Sequence, residues 1–239
     1  MFNILKEIVN YTMAVDLDLV RISGTEQQTV MQSVSADKSI VLEARFNQPV
    51  PEFASVLGLP NLGRLNVILN IPEYREEPQV TLTSNSEKTL ESISFANKTG
   101  DFHNVYRLMD TAMINSKIAA VSFKEPKWNV VFEPLAVNIQ RLRYQSQALS
   151  DQIHCHTYTQ SGNLMLEVGD PSSLQGKFVF HPNVTGQLQK KMTWVTKHLI
   201  NILGLTGDKQ ISISDAGAMQ ITVNSGVATY NYILLAQTK

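Results

Sequence analysis

Apolar positions along the chain recur with two periods, one near 3.6 residues and one of 2, and the two alternate in blocks. Phe2–Val15 has the longer period: Ile4, Ile8, Tyr11 and Val15 share a face and Lys6 points away from it. Leu19–Ile22 then reads as a strand that ends in a Ser23-Gly24 turn. Gln28–Ser35 and Ser39–Phe46 are strand-like about the polar turn Ala36-Asp37-Lys38. Pro51–Leu57 has the form of a short helix, with proline early and Gly58 at its end. Leu62–Ile71 fits helix and strand equally. Gln79–Ser84, Leu90–Asn97 and Phe102–Met109 are three more strands, separated by Asn85-Ser86-Glu87 and Lys98-Thr99-Gly100.

The order then repeats. Asp110–Val131 shows no clean period and reads as a connector with one strand near its end. Pro134–Leu149 is a helix with Leu135, Ile139, Leu142 and Leu149 as its stripe, and Gln152–Thr159, Asn163–Gly169 and Lys177–His181 are strands. Gly186–Gly204 reads as one long helix through Leu188, Met192, Val195, Leu199 and Ile202. Gln210–Ser214, Met219–Val223 and Val227–Leu235 close the chain, with turns at Asp215-Ala216-Gly217 and Asn224-Ser225-Gly226. Both halves thus read helix, strands, helix, strands. The likeness is one of pattern, with no identity of letters. The class is α+β, in two similar domains at 1–110 and 132–239 with a connector at 111–131.

Charge changes the picture through its distribution. The whole chain of 239 residues carries −1. Pro134–Leu149 and Gly186–Gly204 hold Arg141, Arg143, Lys190, Lys191 and Lys197 and no acid, so these two segments carry +5 and the remainder −6. In the helical reading Lys190 and Lys197 lie opposite the apolar stripe, and Arg141 and Arg143 flank theirs, leaving Gln140 and Tyr144 most directly outward. An acidic body with locally basic helices admits a phosphate backbone at one surface and repels it elsewhere. With Lys6 these six cations are the candidate phosphate contacts. They lack the base-reading set of a recognition helix, so the contact they predict is independent of sequence.

Other chemistry is thin. His154, Cys155 and His156 alternate in a strand, which separates the thiol from either imidazole and leaves a metal only two ligands. Asp16-Leu17-Asp18 and Glu76-Glu77 read as solvated loop charge. No phosphate loop, dinucleotide fingerprint, HExxH, GxSxG or calcium loop is present. No catalytic residue, metal or cofactor is therefore expected, and the reading is of a non-enzyme. A single cysteine precludes an internal disulfide, and no apolar run is long enough to span a bilayer, which suits a cytoplasmic protein. Trp194 reads as packing. Trp128, in the connector, ties that strap to the body or adds to a docking surface.

The order of elements resembles that of a DNA sliding clamp, the processivity factor of DNA polymerases, and is most similar to the clamps of T-even-type bacteriophages. The resemblance spans the chain. It lies most in the C-terminal half, in QIHCHTYT, NLMLEVGDPSSLQGKFVF, QISISDAGAMQITV and VATYNYILLA, and less in FNILKEIVNYTMAV and DLVRIS. It implies antiparallel sheets outside and helices lining a ring, closed by three chains around duplex DNA. It implies a clamp-loader ATPase and the replicative polymerase as partners, and, for a phage, the host cytoplasm as location. It also implies an apolar pocket for partner peptides beside the connector, bordered here by Trp128, Tyr230, Tyr232 and Leu234. The rival reading is a bacteriophage virion subunit of the tail-tube or baseplate type, which would also form rings.

Overall fold

In the computed structural model, residues 1–86, 89–118, 125–169, 172 and 174–237 are described. The chain divides into two compact units, one of Met1–Ser35 with Leu42–Ser122 and one of Ala36–Val41 with Phe123–Lys239.

The first unit opens with α1 (Phe2–Met13), which buries Leu5, Ile8, Val9, Tyr11 and Thr12. That spacing of three and four places one stripe against the unit's core. Strands β1 (Leu19–Gly24), β2 (Thr29–Val34) and β3 (Ile40–Phe46) follow, and β4 (Val56–Pro60) returns beside β1. The order is β4-β1-β2-β3, with Val20 opposite Leu59 and Ile22 opposite Leu57 on the buried side. Helix α2 (Leu62–Leu69) starts two residues after β4 and packs on α1. Its first amides are met from a distance: Asp18 Oδ1 accepts from Gly63 N at 3.1 Å and Asp18 O from Leu62 N at 3.2 Å. One of the acids expected as plain loop charge is therefore a helix cap. Three antiparallel strands, β5 (Gln79–Ser84), β6 (Leu90–Ala96) and β7 (His103–Arg107), end the unit's sheets.

The second unit repeats this series. After β8 (Val130–Phe132) come α4 (Ala136–Ala148), β9 (His154–Gln160), β10 (Asn163–Gly169), β11 (Gln175–His181), β12 (Met192–Val195) and α5 (Thr196–Gly204). Then β13 (Asp208–Ser214), β14 (Ala218–Asn224) and β15 (Ala228–Leu235) pair in order, with β8 on the outer side of β13. The four-stranded sheet runs β12-β9-β10-β11, the same order as β4-β1-β2-β3. The two units thus share a series of a helix, four strands, a helix and three strands. The pattern-level repeat is a repeat of topology.

Three expectations need correction and one open reading is settled. Gly186–Gly204 is not one helix: residues up to Lys191 lie outside regular structure, Met192–Val195 is β12, and only Thr196–Gly204 is helical. Met192 and Trp194 are buried while Thr193 and Val195 are half-buried, a period of 2 that the longer apolar spacing masked. Pro51–Leu57 stops as a 3-10 turn at Phe53, and Val56 onward belongs to β4. Leu62–Leu69 is a helix. The connector holds a further helix, α3 (Thr111–Lys117), capped by the Asp110 carboxylate on Ala112 N (2.8 Å) and Met113 N (3.2 Å). Glu87 of the expected turn and residues 119–124 of the connector lie outside the described residues.

Candidate nucleic-acid interface

The four paired helices carry the relevant charge. Lys6 lies on α1, Arg64 on α2, Arg141 and Arg143 on α4 and Lys197 on α5, against the single acid Glu7. That is +4 on four helices and, against −1 for the chain, −5 elsewhere. The two helices of each unit pack on one another, so their cations come in neighbouring sets: Lys6 with Arg64, and Arg141 and Arg143 with Lys197.

Exposure follows from which face each helix buries. On α2, Leu62, Leu65, Ile68 and Leu69 point inward and Arg64, Val67 and Asn70 outward. On α5, Leu199, Ile202 and Leu203 are buried and Lys197 is exposed. On α1, Asn3 and Asn10 are exposed and Lys6 is half-buried, its Nζ 4.8 Å from the centre of the Phe2 ring. On α4, Asn138 and Leu142 are buried, while Val137, Gln140, Arg141 and Tyr144 are exposed. Arg141 Nη1 donates to Asn138 Oδ1 at 3.1 Å. Arg143 is half-buried and lies over the end of α5, where a Cβ on Gly204 would meet its Nη2 at 2.8 Å. A guanidinium there complements the negative end of the α5 dipole.

The structure does not bring all six expected cations together on helices. Lys190 is exposed in the segment before β12. Lys191 is committed to Glu167, a carboxylate only 5% exposed, and its Nζ also lies 5.8 Å from the Tyr158 ring centre. Burial alone would raise the Glu167 pKa; the hydrogen bond and charge of Lys191, with smaller help from Gln175 and His156, outweigh it and hold the carboxyl below its ordinary value. A neutralised pair adds no net attraction for a polyanion. Arg64 was missed because Leu62–Ile71 fitted both periods, although Leu62, Leu65 and Leu69 already marked a helical face.

The expected docking wall also needs correction. Tyr230, Tyr232 and Leu234 are 0%, 0% and 4% exposed. Tyr232, Ile233 and Leu234 are buried in succession, as in a strand covered on both faces, so these side chains are core. Trp128 is half-buried and donates from Nε1 to Glu125 Oε1 at 2.7 Å, a local tie within the strap. Trp194 is packing: 1% exposed, with Nε1 on Thr157 Oγ1 at 2.8 Å.

Cys155 is fully buried and burial pushes its thiol up to about 12, so no thiolate is available at neutral pH for attack or metal binding. His156 Nδ1 lies 2.9 Å from Thr193 Oγ1 and His154 is exposed on the same strand face. Among the described residues no three metal-ligating side chains come together. A pocket of about 740 Å³ opens between the start of α4 and β13–β14. Its walls set Glu133 and Asp208 against Lys209, so they present no net positive surface. Among the described residues, no helix is long and apolar enough to cross a membrane.

By sequence, no protein-family model matches the chain and no curated protein is similar to it. By structure it is similar to the PCNA of A. fulgidus, solved with the C-terminal region of FEN-1 bound, at a TM-score of 0.68 and 13% identity over 100% of this chain and 96% of that one. It is likewise similar to the PCNA of Thermococcus kodakaraensis, at a TM-score of 0.65 and 12% identity over 98% and 97% of the two chains. The end-to-end coverage in both directions shows that the whole chain has the sliding-clamp fold: α+β, with antiparallel sheets and few helices.

Proposed function

We propose that this chain is a DNA sliding clamp, a ring that encircles duplex DNA and tethers a replicative polymerase. The observation that carries the reading is the pairing of one topology, used twice, with helices whose outward faces hold Lys6, Arg64, Arg141 and Lys197 and a single half-buried acid. Three chains close the ring, with β7 and β11, each at the edge of its sheet, as the strands that pair between subunits. The helices line the hole. Their cations meet phosphates through screened, replaceable contacts that let the ring slide, while closure keeps it on the DNA. The chain works by binding, with no reaction of its own. A clamp-loader ATPase opens the ring, and partner peptides dock beside the connector, where Trp128 and the exposed Leu235 supply apolar surface. The T-even-type resemblance supports a phage origin, with replication in host cytoplasm.

The test uses linear duplex DNA with open ends and with both ends blocked by bulky protein before the chain is added. A ring threads over open ends and is trapped when the ends are blocked afterwards, and blocking them beforehand abolishes retention. Equal binding to both substrates would show simple surface attachment and remove encirclement.

A further inference from the structure

α4 differs from the other three paired helices in what it exposes. Like α2 and α5 it has no Asp or Glu; what sets it apart is Tyr144, at 61% the most exposed aromatic side chain among the described residues. Val137, 58% exposed, lies two turns before it on the same side, and the exposed Arg141 lies between. A surface aromatic buries little and loses rotamer freedom when it finds a partner, so packing does not account for it.

Arg141 is also braced. The Asn138 side chain is 3% exposed and donates from Nδ2 to Phe180 O at 2.8 Å, which turns its Oδ1 toward Arg141 Nη1. The reverse amide orientation would set two acceptors against each other at Phe180, so the direction is determined. The guanidinium is held one helical turn from Tyr144, on an exposed residue. A fixed phosphate donor beside an open aromatic face is the pairing that single-stranded nucleic acid uses, because an unpaired base has a free face to stack. Bases inside a duplex have none.

We infer that α4 is a docking face for single-stranded DNA, Arg141 taking a backbone phosphate and Tyr144 stacking one unpaired base. This rests on the proposal that the helices face DNA and adds a preference to it. A clamp with such a face rests at the junction where duplex gives way to template single strand and slides freely elsewhere.

The test measures fluorescence anisotropy of a labelled oligo(dT) and of a duplex of equal length, with the full-length chain and with Tyr144→Ala and Tyr144→Phe. Thermal melts confirm that both variants fold. Tyr144→Ala weakens oligo(dT) binding by roughly tenfold or more, Tyr144→Phe keeps it within about twofold, and duplex binding is unchanged in both. Unchanged oligo(dT) binding by the alanine variant overturns the inference. So does an equal loss on both substrates, or a phenylalanine variant as weak as alanine. Retention of the duplex with no effect of Tyr144 sinks this inference and leaves the clamp reading intact. A wild-type chain that does not bind oligo(dT) sinks this inference, and the clamp reading then stands or falls on the blocked-end test.

Discussion

At the scale of single residues, the best-defined polar contact is Glu167 with Lys191, a buried carboxylate under a half-exposed ammonium. Its folded pKa is lowered, so the stabilisation is present above the ordinary carboxylate value of 4.5 and is lost as pH falls through the lower folded value. Lys191→Met removes the partner and leaves burial as the dominant influence, so the carboxyl pKa rises and the acid limb of stability moves to higher pH. Because the Lys191 side chain is 43% exposed, the loss at pH 7 is about 2 kcal/mol, less than for a fully buried pair. Melts of wild type and variant between pH 3 and 7 check this, and superimposable curves would refute it. Cys155 gives a second expectation. With its thiol at about 12 and no exposed surface, it resists alkylation at pH 8 in the folded chain and reacts at an ordinary rate once the chain is unfolded. Fast labelling of the native protein would contradict this burial.

At the scale of elements, close approach decides where helices and strands can end. Gly24 finishes β1 against the 3-10 turn at Pro51–Phe53, and a Cβ there would lie 2.0 Å from Phe53 O. The obstacle is backbone, so Gly24→Ala must shift the turn, at a cost of about 2–3 kcal/mol. A chemical denaturation midpoint equal to that of wild type would show that the turn yields freely. The helix cations make the other element-level prediction. Arg64→Glu on α2 with Lys197→Glu on α5 reverses one exposed charge in each unit without touching a buried side chain. Retention on duplex whose ends are blocked after threading, at about 0.1 M salt, should fall by roughly tenfold, with an unchanged melt. Lys191→Glu serves as the contrast, since Lys191 is bound to Glu167; it lowers stability first. Retention that ignores the α2–α5 pair of reversals would remove the helices from the DNA path.

At the scale of the whole molecule, the sheets of both units leave strand edges to be covered: β5 and β7 in the first and β11 in the second. Unpaired edges invite pairing with another chain, and a closed ring is one arrangement that uses them without open-ended growth. Light scattering across a concentration series should give a three-chain species that dissociates on dilution. A monomer at every concentration would end the ring reading, and an open-ended polymer would favour the virion subunit.

Much of this architecture was legible in the chain because burial imposes its period wherever one face is covered. α1, α4 and twelve of the strands follow from runs such as Ile4-Ile8-Tyr11-Val15 or the alternation in Asn163–Gly169, although α1 buries Leu5 and Val9 where Ile4 was expected. The twofold order of elements needed nothing more, and of the helix cations Lys6, Arg141, Arg143 and Lys197 were legible while Arg64 was not. The places where the chain misled are those where tertiary contact overrode a local pattern. Met192 suits either period, with Val195 on a helix or with Trp194 on a strand, and pairing with β9 made the segment strand; Val56–Pro60 became a strand by lying beside β1. Lys191 reads as a free cation until the fold brings Glu167 to it from 24 residues away. Tyr230 and Tyr232 read as pocket until both faces of β15 are covered. The chain by itself determined which segments bury a face and with what period. Only the folded structure decided which neighbour covers that face and which charges are neutralised, because both depend on residues distant in sequence.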